Sequence, residues 1–279
     1  MRFENTRVFN FDGALRGMRN PKESWSRSDS HWEYDCVEDT VEDIEFVIGQ
    51  NDLELAQTLI RAGSEHRKFM RQIIVSVDIT APIYWWKEFD TYKVGTTANS
   101  TSTMHKIQSK PITRELFEVQ DFHPELDMID DAPLGIRVDN FINDLEQLRQ
   151  KYLMTEDKKQ KKKYWKELIR WLPCGWLQTR TVTMSYENLL AMCSKGQRRF
   201  HKLTEWSGDQ QVSFVGWART LPYAQELIFL DELDVKPVDP MDELWANIRK
   251  ACEQKDIDQE KLTKLLEIIT RQEQEAATT

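Results

Sequence analysis

The chain has 279 residues, with 38 lysines and arginines against 47 aspartates and glutamates, a formal net charge of −9. An acidic balance excludes general nucleic-acid binding, which rests on clustered cations that displace counterions from phosphates. With 40% apolar residues and ten tryptophans the chain can fill a packed core, which excludes wholesale disorder.

The opening Met1-Arg2-Phe3-Glu4-Asn5 lacks the layout of a secretory signal, and the longest apolar run, Ala81 to Trp86, is too short to span a bilayer. A cytoplasmic protein without a membrane partner is expected. Residues 17–30 are rich in turn formers and hydroxyls yet carry Arg19, Trp25 and Arg27. They read either as a loop that wraps a polar ligand or as a solvated connection pinned by Trp25. Ile44, Phe46 and Ile48 alternate before Gly49, which predicts a strand. Asp52 is the expected cap of a helix carrying Leu53, Ala56, Leu59 and Ile60, stopped at Gly63. Ile73, Val75, Val77 and Ile79 then predict a half-buried strand. Thr80, with Pro82 in the first turn, predicts a helix bearing Ile83, Trp85, Trp86 and Phe89, its tryptophans in the core. Residues 96–103 follow without a charge, nearly all hydroxyl or amide.

Farther on, Phe141, Leu145, Leu148 and Tyr152, and then Trp165, Leu168 and Leu172, repeat at helical spacing. The basic run 158–163 between them is either a solvated face or a phosphate contact. Ser185 is the expected cap of a helix with Leu189, Leu190 and Cys193, and Arg198 and Arg199 cluster near its far end. Residues 237–240 read as a linker between a 1–236 body and a 237–279 helical hairpin, whose last helix carries Leu262, Leu265, Leu266 and Ile269. Cys36, Cys174, Cys193 and Cys252 form no CxxC pair, and the histidines form no HExxH, so neither a metal site nor a disulfide scaffold is expected. No GxSxG elbow, P-loop or dinucleotide fingerprint occurs.

Taken in order, Glu65-His66, Phe69, an alternating strand, a Pro-containing aromatic helix and a hydroxyl loop resemble the flavin-dependent thymidylate synthases. That family methylates dUMP using FAD and methylenetetrahydrofolate. Its helix ends in Arg-His-Arg and enters a loop with Ser, Asn-Glu, Ser and Arg; the text here is Thr91-Tyr92-Lys93-Val94-Gly95-Thr96-Thr97-Ala98-Asn99-Ser100-Thr101-Ser102-Thr103. The frame is kept and the charges are largely lost. Lys93 replaces the second arginine as a point charge without its fork. Tyr92 replaces the histidine, Thr91 replaces the first arginine, and Thr96 keeps the hydroxyl. Asn99 matches the asparagine with one residue inserted, and the closing arginine becomes Thr103 or Met104. Glu88 stands where a nucleotide-touching Gln is expected and would repel a phosphate.

A second stretch, from Leu172-Pro173 to Ala224-Gln225-Glu226-Leu227, extends the resemblance. It places Arg198 or Arg199 where the family offers an arginine to the uracil, and Glu187 near the position of a lost arginine. Arg16 or Arg19 answers to an N-terminal Ala-Ala-Arg. The resemblance implies an α+β fold, a mixed sheet with flanking helices, and does not cover the C-terminal helical appendage. It implies FAD at His66, Tyr92, Lys93, Thr96, Asn99 and Ser102, and a pyrimidine nucleotide at Arg19, Arg198 and Arg199. Methylenetetrahydrofolate and NADPH are the implied co-substrates and a homotetramer the implied assembly; no catalytic residue is identified. Lost guanidiniums would be replaced by Arg19 and Arg27, or by hydroxyls and amides of residues 94–103 acting as a neutral nest. The expectation is a divergent, phage-encoded member that transfers one carbon to a pyrimidine deoxynucleotide such as dUMP. The alternative is a catalytically inactive nucleotide-binding or structural protein that retains the fold.

Overall fold

The computed structural model describes residues 1–37, 40–119, 128–129, 132–208 and 211–234. Strand β1 (Arg2–Phe9) leads into α1 (Phe11–Arg19), a hairpin of β2 (His31–Val37) and β3 (Thr40–Val47), and α2 (Gln50–Arg61). Then come β4 (Ile74–Pro82), α3 (Ile83–Phe89), the short β5 (Thr97–Ser100) and α4 (Thr103–Lys106). A small β6 (Met128–Ile129) and β7 (Ala132–Pro133) pair precedes the long α5 (Leu134–Met154) and α6 (Lys158–Trp171). Strand β8 (Leu177–Ser185) and α7 (Tyr186–Met192) follow, then the short α8 (Thr204–Ser207), α9 (Phe214–Ala218), α10 (Ala224–Leu227) and α11 (Leu230–Leu233).

The main sheet has the order β1-β4-β8-β5, and each neighbouring pair is antiparallel. The α+β expectation holds, but the expected mixed sheet is antiparallel. Strands β4 and β5 run the same way, and β8 inserts between them in the opposite sense, so no parallel neighbours form. Val75 faces Met184 and Val77 faces Val182 across the ladder. Together with Ile79 and Ala81 they share one core with Leu15 of α1, Trp85 and Trp86 of α3 and Leu189 of α7. Each large apolar side chain buried there contributes about 1.5–3 kcal/mol. A slip of one residue would turn that whole set outward, so this face sets the register.

The opposite face is hydroxyl-lined, with Ser76, Asp78 and Thr80 of β4 against Thr183, Thr181 and Thr179 of β8. Thr80 therefore belongs to the strand, its Oγ1 lying 2.7 Å from that of Thr179, and it caps nothing. Pro82 is the N-cap of α3, where its missing N–H costs no helix bond. Asp52 is not a cap either. The α2 amides of Asn51 and Asp52 donate to the Asp29 carboxylate at 2.9 and 3.2 Å. Gly49 permits that approach, since a Cβ there would stand 2.2 Å from Asp29 Cγ. Asp52 instead accepts from Arg19 Nε at 2.5 Å, Ser28 Oγ at 2.5 Å and Ser30 Oγ at 2.6 Å. Polar residues of the 17–30 segment are thus engaged in fastening α2. Trp25 is held by Asn20, its Nε1 donating at 2.9 Å.

The two helices expected around 141–152 and 165–172 are α5 and α6, which share a second core of Ile107, Ile112, Ile142, Leu145, Leu168 and Trp176. The basic run sits at the head of α6, capped by Asp157, which accepts from Gln160 N at 2.6 Å. Glu146 of α5 takes both arms of the Arg149 guanidinium at 2.7 Å and the Ile112 amide at 2.8 Å. The Arg149 bonds, helped by Ile112 and Gln150, outweigh burial and pull its carboxyl from 4.5 down to about 2. A depressed carboxyl stabilises above its unfolded value and loses that contribution as pH falls through the folded one. A contribution of roughly 1–2 kcal/mol after solvent screening, complete above pH 4.5, should therefore fade as pH falls through about 2. Glu146→Gln should be less stable at pH 7 by up to that amount, with the gap closing in acid, as followed by helix circular dichroism.

Burial pushes the Cys193 thiol up to about 12, so it packs as an inert apolar group. Among the described residues no helix is long and apolar enough to cross a membrane, and no His, Cys, Asp and Glu group is placed to hold a metal ion. Met1–Leu230 forms one compact unit. The expected linker at 237–240 and the helical hairpin of 237–279 lie outside the described residues.

Candidate functional site

Helix α3 buries Trp85, Trp86 and Phe89 and so leaves Tyr84 and Glu88 to meet another segment. That segment is 197–206. Arg198 Nη1 donates to Glu88 Oε2 at 2.8 Å and its Nε to Tyr92 Oη at 3.0 Å. Its guanidinium also lies 4.8 Å from the Trp206 ring centre and 5.4 Å from that of Tyr92, a cation–π arrangement. His201 Nε2 is 3.4 Å from the same Glu88 oxygen. The Leu203 amide donates to His201 Nδ1 at 3.1 Å, which leaves the ring proton on Nε2, facing the carboxylate. The Tyr84 hydroxyl donates to Glu205, and that of Tyr92 to Gln197 Oε1 at 3.3 Å.

Just beyond α3 the chain turns at Gly95, whose φ of +78° suits glycine. Asn188 of α7 clamps the turn, its Nδ2 donating to Val94 O at 2.8 Å. A Cβ on Gly95 would stand 3.0 Å from Asn188 Oδ1. The Thr96 hydroxyl donates to Tyr92 O. Ser185 and Asn188 form a reciprocal capping box at the start of α7. Beside them Glu187 accepts from Arg67 Nε at 2.9 Å. Lys93 is exposed, with no ion pair or hydrogen bond from its side chain among the described residues. A further guanidinium, Arg180, pairs with Asp90 at 2.7 Å and lies 4.2 Å from the Trp86 ring. Each of these guanidiniums carries its own carboxylate, and Lys93 supplies the unpaired charge.

Of the residues singled out by sequence, the structure brings Tyr92, Thr96 and Arg198 together, and Lys93 stands exposed next to Tyr92 in the chain. His66 is exposed beside Arg67. Ser102 caps α4, accepting from His105 N at 3.2 Å. Asn99 lies on β5, opposite Thr181. The neutral nest does not form across 97–100: that stretch is an extended strand, whose successive amides point in alternate directions instead of converging. Arg199 is buried, donating to Cys193 O at 2.7 Å beneath Phe229. Arg19 is only 4% exposed and sits in the separate Asp52 cluster. Arg67, His201 and Trp206 escaped the sequence reading. The available signal was chemical: Glu88 and Glu187 stood out as carboxylates in a site expected to be cationic, and a partly buried carboxylate requires a partner.

The fold is similar to that of flavin-dependent thymidylate synthase ThyX from Helicobacter pylori complexed with FAD and dUMP. Identity is 16% and the TM-score 0.52, over 83% of this chain and 99% of that one. A second structure of Helicobacter pylori ThyX with FAD and dUMP gives 15% and 0.51, over 83% and 98%. No protein-family model and no curated relative matches the chain. At this identity the likeness is one of fold.

Proposed function

We propose that this protein binds FAD and a pyrimidine deoxynucleotide such as dUMP beside α3 and α7, and transfers one carbon to the pyrimidine on a charge-reduced site of thymidylate synthase type. The supporting observation is the meeting of Arg198 and Thr96 on Tyr92 at the end of α3, next to the exposed Lys93, on a fold similar to chains complexed with FAD and dUMP. The groups assigned to flavin are mainly neutral, and Tyr92, Thr96 and Ser102 would have to exchange their present protein partners for it. His66, Tyr92, Thr96, Asn99 and Ser102 would serve it, with Lys93 as the cation toward phosphate. FAD would supply the redox chemistry, with methylenetetrahydrofolate as carbon donor and NADPH as reductant. Arg198, once released from Glu88, would stabilise charge that develops on the pyrimidine.

A charge-assisted hydrogen bond contributes about 1.5–3 kcal/mol, so a site with its guanidiniums already paired should exchange FAD freely instead of retaining it on purification. Glu88→Gln frees Arg198 and should tighten FAD or dUMP binding about tenfold, whereas Lys93→Ala should weaken it about tenfold with folding unchanged. Titration of flavin fluorescence and dUMP calorimetry would measure both, alongside the solution mass expected of a tetramer. Failure of wild type and Glu88→Gln alike to take up either ligand would sink the proposal. A second reading, nucleotide binding without flavin, is favoured by the internal pairing of Arg67 and Arg198. It would be recognised by dUMP binding that is indifferent to FAD.

A further inference from the structure

Among the described residues the β2–β3 hairpin pairs only with itself, and register places Trp32 opposite Phe46 and Tyr34 opposite Ile44 on one face. That face borders a cavity of about 470 Å³, whose walls include Thr6, Phe11, Trp32, Phe46, Thr220 and Tyr223. Unusual backbone converges on it. Thr6 lies in a bulge of β1 next to Asn5, whose φ is 54°; Asn10 has φ 71° and Tyr223 φ 53°. A bulky residue such as tyrosine rarely adopts the left-handed region, and such conformations cluster where a site requires them.

The polar groups are matched. Thr6 Oγ1 accepts from Trp217 Nε1 at 3.1 Å and keeps its own proton to donate. Thr220 Oγ1 donates to Trp217 O at 2.8 Å and keeps lone pairs to accept. Among the described residues Glu45 is the charged one in the wall and no lysine or arginine lines it, so the cavity disfavours phosphate.

We infer that this cavity is a second ligand site, for an uncharged planar heterocycle of nucleoside size, its ring held among the Trp32, Phe46 and Phe11 rings and its edge read by Thr6 and Thr220. This inference does not rest on the function proposed for the α3 site. Adenosine is the probe, titrated into the full chain by calorimetry and saturation-transfer NMR. Saturable binding is expected, weakened at least about tenfold in Trp32→Ala and kept within about threefold in Trp32→Phe, as for loss or retention of a base–aromatic stack. Adenosine monophosphate should bind at least about tenfold more weakly than adenosine, because its phosphate meets Glu45 without a cation. Lys93→Ala should leave adenosine binding unchanged, which separates this site from the one beside α3. Thermal unfolding of both Trp32 variants should match wild type, since the ring is 45% accessible, and a large drop in either would mark its binding loss as structural. Absence of saturable binding, equal binding by Trp32→Ala, or loss in Lys93→Ala would each overturn the inference.

Discussion

Asp52→Ala is expected to lower stability by about 3–5 kcal/mol, the range for breaking a buried ion pair from one side. The carboxylate is fully buried and Arg19 nearly so, and the variant strands that guanidinium together with the Ser28 and Ser30 hydroxyls. Domains of this size have total stabilities of about 5–15 kcal/mol, so the variant should be close to unfolding at 37 °C. Burial alone would raise the Asp52 carboxyl; the Ser28, Ser30 and Arg19 hydrogen bonds outweigh it and hold the group below its ordinary 3.8. Its contribution is therefore complete above that value and is lost as pH falls through the lower, folded one. Urea unfolding of wild type and variant should show a wide gap at pH 7 that narrows in acid. A gap under about 1 kcal/mol at pH 7 would show that Arg19 finds another partner.

Trp206→Ala should cost about 3–5 kcal/mol as well, as a large ring leaves a core where neighbours relax only partly. Trp206 is fully buried, 4.6 Å from Trp85 and 5.1 Å from Phe214 between ring centres. Its loss also removes the platform under Arg198, so the Glu88 pair should loosen and anion binding beside α3 should change with stability. Trp206→Phe separates the two effects. The Trp206 indole N–H has no partner among the described residues, so phenylalanine forfeits ring volume and no hydrogen bond to them. If Trp206→Phe kept stability yet altered ligand affinity as much as alanine does, the platform argument would fail.

Elements whose packing repeats with the backbone period were legible from sequence. The alternation of Val75, Val77 and Ile79 marks β4, and the spacing of Leu145, Leu148 and Tyr152 marks α5. Strand β1 was not legible, because Arg2, Glu4 and Arg7 stand on an edge and a bulge breaks its alternation. Helix α1 hid behind Gly13, Gly17 and a left-handed entry at Asn10. Strand β5 read as a loop because its side chains are exposed on both faces, leaving no alternation to detect. Of the site, the run from Thr91 to Thr96 was visible as text. The pairing of Arg67 with Glu187 was not, since the two lie 120 residues apart and periodicity reports a residue's own face, never its distant partner.

The order of the sheet also bears on how the chain reaches it. Thr97 must find Thr183, and Ile74 must find Ser185, across the stretch that contains α5 and α6. Loops of that size slow a conformational search, because the closure entropy is lost before any ladder contact rewards it. The α5–α6 hairpin works in the opposite direction. Its contacts are local, it can form early, and once formed it draws β5 and β8 toward each other. The helical insert is thus expected to serve as a folding tether, with the slow steps in refolding belonging to the strands.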